Sequence, residues 1–182
     1  VIGCQSFKTY LNKYDVIYFD VQECIDNAED IENTIEYITQ SVLEELDKAY
    51  PQTMPSDTKT ISEALNYINQ ATGNRFVIII DEWDAMFRAV PKQKETHEKY
   101  IAFLRSLFKG AGARRFIALA YITGILPIKK YKTQSTLNNF MEYTMINPGP
   151  IAPYFGFTEE EVAALCKIYN KDFGNIRRSA HL

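Results

Sequence analysis

The run Phe76-Val-Ile-Ile-Ile80, followed at once by Asp81-Glu82-Trp83-Asp84, constrains the fold of this chain more than any other segment. Four of its five residues are β-branched, and no polar residue alternates with them. A short run that is apolar on both faces suits a central strand of a parallel sheet covered by helices on both sides. The rest of the chain offers matching pieces. Residues 14–22, Tyr-Asp-Val-Ile-Tyr-Phe-Asp-Val-Gln, read as a second strand, and Phe116 to Thr123 as a third. Phe140 to Ile146 reads as a further strand of the same set.

Helical patterns stand between the strands. A polar stretch, Asp26 to Asp30, suits a helix start, and Ile31, Ile35, Ile38, Val42 and Leu46 then form one apolar stripe. Pro51 to Thr58 is a loop. Thr60 and Glu63 have capping-box spacing ahead of Ile61, Leu65 and Ile68, and Gly73 lies where a left-handed C-cap belongs. Tyr100, Phe103, Leu104, Leu107 and Phe108 make another stripe, closed by Gly110. Pro148, Pro150 and Pro153 break the pattern. Thr158 and Glu161 can then cap each other, Phe157 can staple onto Val162, and a short helix is expected from Lys171. Alternating strands and helices predict an α/β fold.

The acids after the central strand carry the chemistry. In open α/β sheets, ligands bind beyond the carboxyl ends of the strands. A carboxylate there can hold Mg²⁺ through water while the metal bridges nucleotide phosphates. A second carboxylate one residue on can polarise an attacking water. This is the pattern of a Walker B motif, with Asp81 on the metal side and Glu82 as the base. The same residues also suit a solvated loop or a helix N-terminus, where the dipole favours anions. Trp83 and Phe87 read as packing residues. Thr123, at the end of its strand, could sense a γ-phosphate or cap the turn before Gly124. Lys129, Lys130 and Lys132 could meet phosphates or form a solvated face. Arg114 and Arg115 precede their strand and so belong to its opposite end.

Bulk properties exclude some classes. Apolar residues make up 46% of the 182 and charged residues 24%, with a net charge of −3, so no strongly basic face for nucleic acid is implied. No run approaches the roughly 18 apolar residues of a membrane span, and no secretory signal is visible. The three cysteines, Cys4, Cys24 and Cys166, are far apart and do not cluster with His97 or His181. Free thiols in a reducing cytoplasm are expected, rather than zinc or a disulfide framework.

Taken together, Phe76-Val-Ile-Ile-Ile-Asp-Glu-Trp-Asp84, Tyr121-Ile-Thr-Gly-Ile-Leu-Pro-Ile-Lys-Lys130, Ser135-Thr-Leu-Asn-Asn-Phe140 and Tyr154-Phe-Gly-Phe-Thr-Glu-Glu-Glu-Val162 resemble the predicted AAA-ATPase-like family. These are bacterial proteins of the P-loop superfamily, often joined to a PD-(D/E)XK nuclease-like domain. The resemblance covers nearly the whole sequence. It implies Asp81 and Glu82 as the Walker B pair, Thr123 as a sensor-like residue, and Ser135 and Asn138 as family-motif residues on the nucleotide side. It implies ATP and Mg²⁺ as cofactors of a full-length parent. Nucleic acid becomes a partner only through a nuclease-like domain of that parent.

Two departures shape the expectation. The family's Walker A loop, ending in Gly-Lys-Ser, has no counterpart here, and none of the eight glycines is followed by lysine. That loop supplies the backbone amides and the lysine that cradle phosphates. The family's Trp-Tyr-Asp-Gly-Tyr-like continuation is replaced by Arg177-Arg-Ser-Ala-His-Leu182. The expected object is a partial P-loop sheet lacking its first strand and phosphate loop. Residues 1–156 would form a truncated core, and 157–182 would begin a C-terminal helical region. The lost strand would be internal, beside the sensor strand, so its absence would expose sheet edges and invite self-association. Alone, the chain should bind ATP weakly or not at all. Two other readings stand beside this one: a non-catalytic interaction or regulatory module on an ATPase-like scaffold, and a metal-dependent nuclease using Asp81, Glu82 and Asp84. The nuclease reading lacks a lysine at E-x-K spacing.

Overall fold

A computed structural model describes residues 5–110, 112–127, 138–144, 146–154 and 156–179. The chain divides into two compact units, Val1–Phe140 and Met141–Leu182.

The first unit is α/β. Strands β1 (Asp15–Asp20), β2 (Phe76–Asp81) and β3 (Ile117–Ile122) form a parallel sheet in the order β1-β2-β3. The apolar run is therefore the central strand, as its composition requires. Parallel pairing needs crossovers, and helices supply them. After α1 (Gln5–Tyr10) and β1, the chain forms α2 (Val21–Asn27), a 3₁₀ turn (Ile31–Asn33), α3 (Thr34–Ala49) and α4 (Ile61–Thr72) before β2. Short α5 (Ala85–Ala89), long α6 (Lys94–Lys109) and α7 (Ala113–Phe116) lead from β2 to β3.

Local signals set the helix ends. Thr60 and Glu63 form the expected capping box, and Gly73 takes the left-handed C-cap with φ 76°. The first strand is shorter than residues 14–22. Asp20 accepts hydrogen bonds from the Gln22 and Glu23 amides, so it turns the chain into α2 at Val21. Asp26 and Asn27 therefore end a helix rather than start one, and Asp30 caps the 3₁₀ turn through the Asn33 amide.

The core lies on one face of the sheet. Ile17 and Phe19 of β1 and Phe76, Ile78 and Ile80 of β2 pack with Ile38, Leu65, Ile68, Tyr100, Leu104 and Phe116 from the helices. Burying each such aliphatic or aromatic side chain stabilises the fold by about 1.5–3 kcal/mol relative to exposure. The other face differs from the two-sided cover that the sequence predicts. Register puts Val16, Val77 and Leu119 in one row and Tyr18, Ile79 and Tyr121 in the next. Val16, Tyr18 and Leu119 are each more than half exposed, while Val77 and Ile79 are half-buried between them.

Phe140 to Ile146 forms no strand among the described residues. Phe140 instead sets its ring edge-on to Phe108 at 5.0 Å, while Met141 and Ile146 are exposed. The Thr144 amide donates to the Asn147 carbonyl, closing a turn ahead of Pro148. Apolar content alone does not make a strand without a neighbour to complete its ladder.

In the second unit, a 3₁₀ segment (Gly149–Tyr154) precedes α8 (Glu159–Ile168) and α9 (Phe173–Ser179). The Thr158–Glu161 capping box is present. Phe157 is 73% exposed, which leaves the expected staple little buried surface. Cys24 and Cys166 are free and buried, and burial pushes the Cys24 thiol up to about 11.

Tyr100 offers a test of the core. It is fully buried, yet its hydroxyl has no hydrogen-bond partner among the described residues. Burial, and then the charge of Asp84, push its phenol above the usual range. An unsatisfied buried hydroxyl costs about 1–3 kcal/mol. Tyr100→Phe should therefore leave stability unchanged or raise it by about 1 kcal/mol in chemical denaturation. A clear loss of stability would show that the hydroxyl is satisfied.

Candidate functional site

The acids sit where the sheet ends. Asp20 closes β1 and Asp81 closes β2, and the two are direct partners in the parallel register. The capping duty of Asp20 commits it to α2. Asp81 is half-buried, and its Oδ1 accepts two hydrogen bonds, one from the Glu82 amide at 3.0 Å and one from the Thr123 hydroxyl. The Thr123 amide continues the β2–β3 ladder by donating to the Ile80 carbonyl at 2.9 Å. Thr123 thus faces Asp81 across the strand ends, and the structure brings these two predicted residues together.

Glu82 sits at the turn from β2 into α5 with φ 51°, in the left-handed region that non-glycine residues avoid. Its carbonyl accepts from the Ala85 amide, and its carboxylate pairs with Arg88. Arg88 also donates through Nε to Asp84 at 3.0 Å.

Asp84 is not an open acid. Its side chain is fully buried, and besides Arg88 it accepts from the Ile125 amide at 3.1 Å and the Leu126 amide at 3.2 Å. Trp83, also buried, donates its indole N–H to the Leu126 carbonyl at 3.2 Å and packs edge-on to Phe87. Both aromatics are packing residues, as their sequence context implies. The Thr123-Gly-Ile-Leu126 turn is therefore folded around Trp83 and Asp84. A Cβ on Gly124 would lie 2.4 Å from both Asp84 Oδ1 and Trp83 Cδ1, so no larger residue fits without movement. The sequence offers Asp84 only as a metal ligand of the nuclease alternative and gives Arg88 no role. The i,i+4 spacing of Asp84 and Arg88, acid before base on a helix, was the available signal.

The strand ends carry negative potential. The Tyr18 phenol is raised above its usual range, first by desolvation and then by Asp81, Asp20 and Glu23. The donor set at the strand ends is small. No group of three or more His, Cys, Asp or Glu side chains suited to a metal occurs among the described residues. One carboxylate and a neighbouring hydroxyl cannot form an all-protein cage. They suit Mg²⁺, which keeps waters and binds one or two carboxylates together with substrate phosphates.

Among the described residues, Asn138, Arg114 and Arg115 do not join the acids. Asn138 is in an exposed turn, with no hydrogen bond to Asp81 or Glu82 among the described residues. Ser135, Lys129, Lys130 and Lys132 lie outside the described residues. Arg114 and Arg115 fall in α7, ahead of β3 and so at the other end of the sheet. No helix among the described residues is long and apolar enough to cross a membrane.

The family model described as predicted AAA-ATPase matches residues 3–133. No curated protein and no solved structure matches the chain.

Proposed function

This chain belongs to the predicted AAA-ATPase family, and from that premise we propose that it supplies the metal and water side of a Mg²⁺-ATP hydrolysis site. The observation that carries the proposal is the Asp81–Thr123 contact at the carboxyl ends of adjacent parallel strands, with Glu82 next in the chain. Asp81 would hold Mg²⁺ through water, Thr123 would keep that carboxylate oriented, and Glu82 would take the proton of the attacking water. Bound Mg²⁺ would neutralise charge on the phosphates. Ser135 and Asn138 belong to this reading only through the family motif. The 182 residues contain no Gly-Lys dipeptide, so the proposal is confined to the hydrolytic half and assigns no phosphate cradle.

The test uses a chain in which a Gly-Lys-Ser/Thr loop precedes these residues. Glu82→Gln should lower kcat by about 100-fold or more, the usual range for a lost general base, with nucleotide affinity kept. Unchanged hydrolysis would remove Glu82 from the mechanism.

A second reading, a non-catalytic interaction module, draws support from the lack of a Gly-Lys dipeptide in the 182 residues. It also draws support from the sheet. Among the described residues β1 and β3 pair only with β2, so each has an outer edge able to add a strand. Self-association of the 182 residues through these edges is expected, and light scattering after size exclusion should give more than a monomer. A clean monomer would overturn it.

A further inference from the structure

We propose that Arg88 is the positioning residue of this site and couples Glu82 to the turn after β3. The inference rests on the hydrolytic role proposed for Glu82. Its ground is the fork of the guanidinium. Nη2 donates to Glu82 Oε2, and Nε donates to Asp84 Oδ2 at 3.0 Å. Asp84 is fully buried and is held by the Ile125 and Leu126 amides. Glu82 and Arg88 are each about one-third exposed at their side chains, so the fork spans from solvent into the core.

The consequence is a closed chain of contacts. Thr123 holds Asp81 directly. Two and three residues later, Ile125 and Leu126 hold Asp84, which holds Arg88, which holds Glu82. One turn therefore governs both candidate acids. A ligand that displaces residues 123–126 would shift Asp81 and Glu82 together. Contiguous hydrogen-bonded networks of this kind carry coupling between positions that do not touch. An exposed ion pair alone would contribute little. Here the buried end fixes the guanidinium, so the exposed end offers Glu82 a preset partner. Lysine could not do this, because an ammonium is a point charge without the planar fork.

The test combines a spectroscopic signature with turnover. In the 182-residue chain, ¹⁵N side-chain NMR should show a protected Arg88 Nε–H and slowed rotation of its Nη groups. Glu82→Ala, which removes the acceptor, should keep the Nε–H protection and release the Nη rotation. In the loop-bearing chain, Arg88→Lys should lower kcat on the order of 10- to 100-fold with nucleotide affinity unchanged, the penalty of a misplaced catalytic group. Free Nη rotation in the unsubstituted chain would overturn the proposal. So would full turnover in a folded Arg88→Lys variant. If that variant does not fold, the Glu82→Ala spectrum still decides. Failure of the hydrolytic reading has its own mark, unchanged turnover in Glu82→Gln while the unsubstituted chain keeps its slowed Nη rotation.

Discussion

Asp84→Ala is expected to destabilise the first unit by about 3–5 kcal/mol, the range for breaking a buried ion pair by removing one partner. Three donors lose their acceptor at once: the Arg88 Nε–H and the amides of Ile125 and Leu126. Unsatisfied donors that remain buried cost about 1–3 kcal/mol each, although Arg88 can turn to water and recover part of that. The melting temperature should fall by about 10 °C, given some 2–4 °C per kcal/mol at this chain length. The loss should be local at first. Amides of Ile125 and Leu126 should exchange faster, while those of Ile78 and Ile80 keep their protection until global unfolding. A variant as stable as the original would mean that the turn holds without its carboxylate. The accounts of Arg88 and of the Thr-Gly-Ile-Leu segment would then both fail.

Gly124→Ala is the second large effect. The added methyl would sit 2.4 Å from Asp84 Oδ1 and from Trp83 Cδ1, and 2.8 Å from the indole nitrogen. Neither neighbour can yield cheaply. Asp84 is pinned by its three donors, and Trp83 is 2% exposed and packed against Phe87. Overpacking of a tight core typically costs about 1–3 kcal/mol. Because the turn carries the Asp84 hydrogen bonds, a loss toward or above 3 kcal/mol is expected. Indole fluorescence reports it directly, since this is the chain's one tryptophan. Its emission should shift red as the turn lifts away. An unshifted spectrum with unchanged stability would show that residue 124 has room to spare.

These two substitutions also mark where sequence reading stops. The central strand was legible because Val77 to Ile80 are all β-branched and apolar and stand between turn signals. Both capping boxes and the left-handed Gly73 were legible because each is a contact within a few residues. The end of β1 was misread because Val21 continues the apolar run, whereas the Asp20 carboxylate decides the matter by capping α2. Phe140 to Ile146 was misread because composition says nothing of a missing neighbour.

The candidate site divides along the same line. Asp81 and Glu82 were visible as adjacent acids after a strand, and Thr123 as a polar strand end. Their grouping of Asp81 with Thr123 follows from parallel strands ending together. The sealing of Asp84 depends on amides 41 and 42 residues away. No local pattern announces that contact. Nor does the sequence say that the predicted two-sided sheet keeps Val16, Tyr18 and Leu119 in the open, because exposure depends on which helices cross which face.

Glu82 in its left-handed backbone has a consequence for anyone breeding a sturdier version of this protein. An L-residue with a Cβ gives up roughly 1–2 kcal/mol in that conformation, while glycine gives up almost none and asparagine suffers less than most. The pair with Arg88 is about one-third exposed on each side and returns little of it. A heat-based selection over position 82 would therefore drift toward glycine or asparagine and discard the carboxylate. Robustness and the acid pull in opposite directions at this one residue.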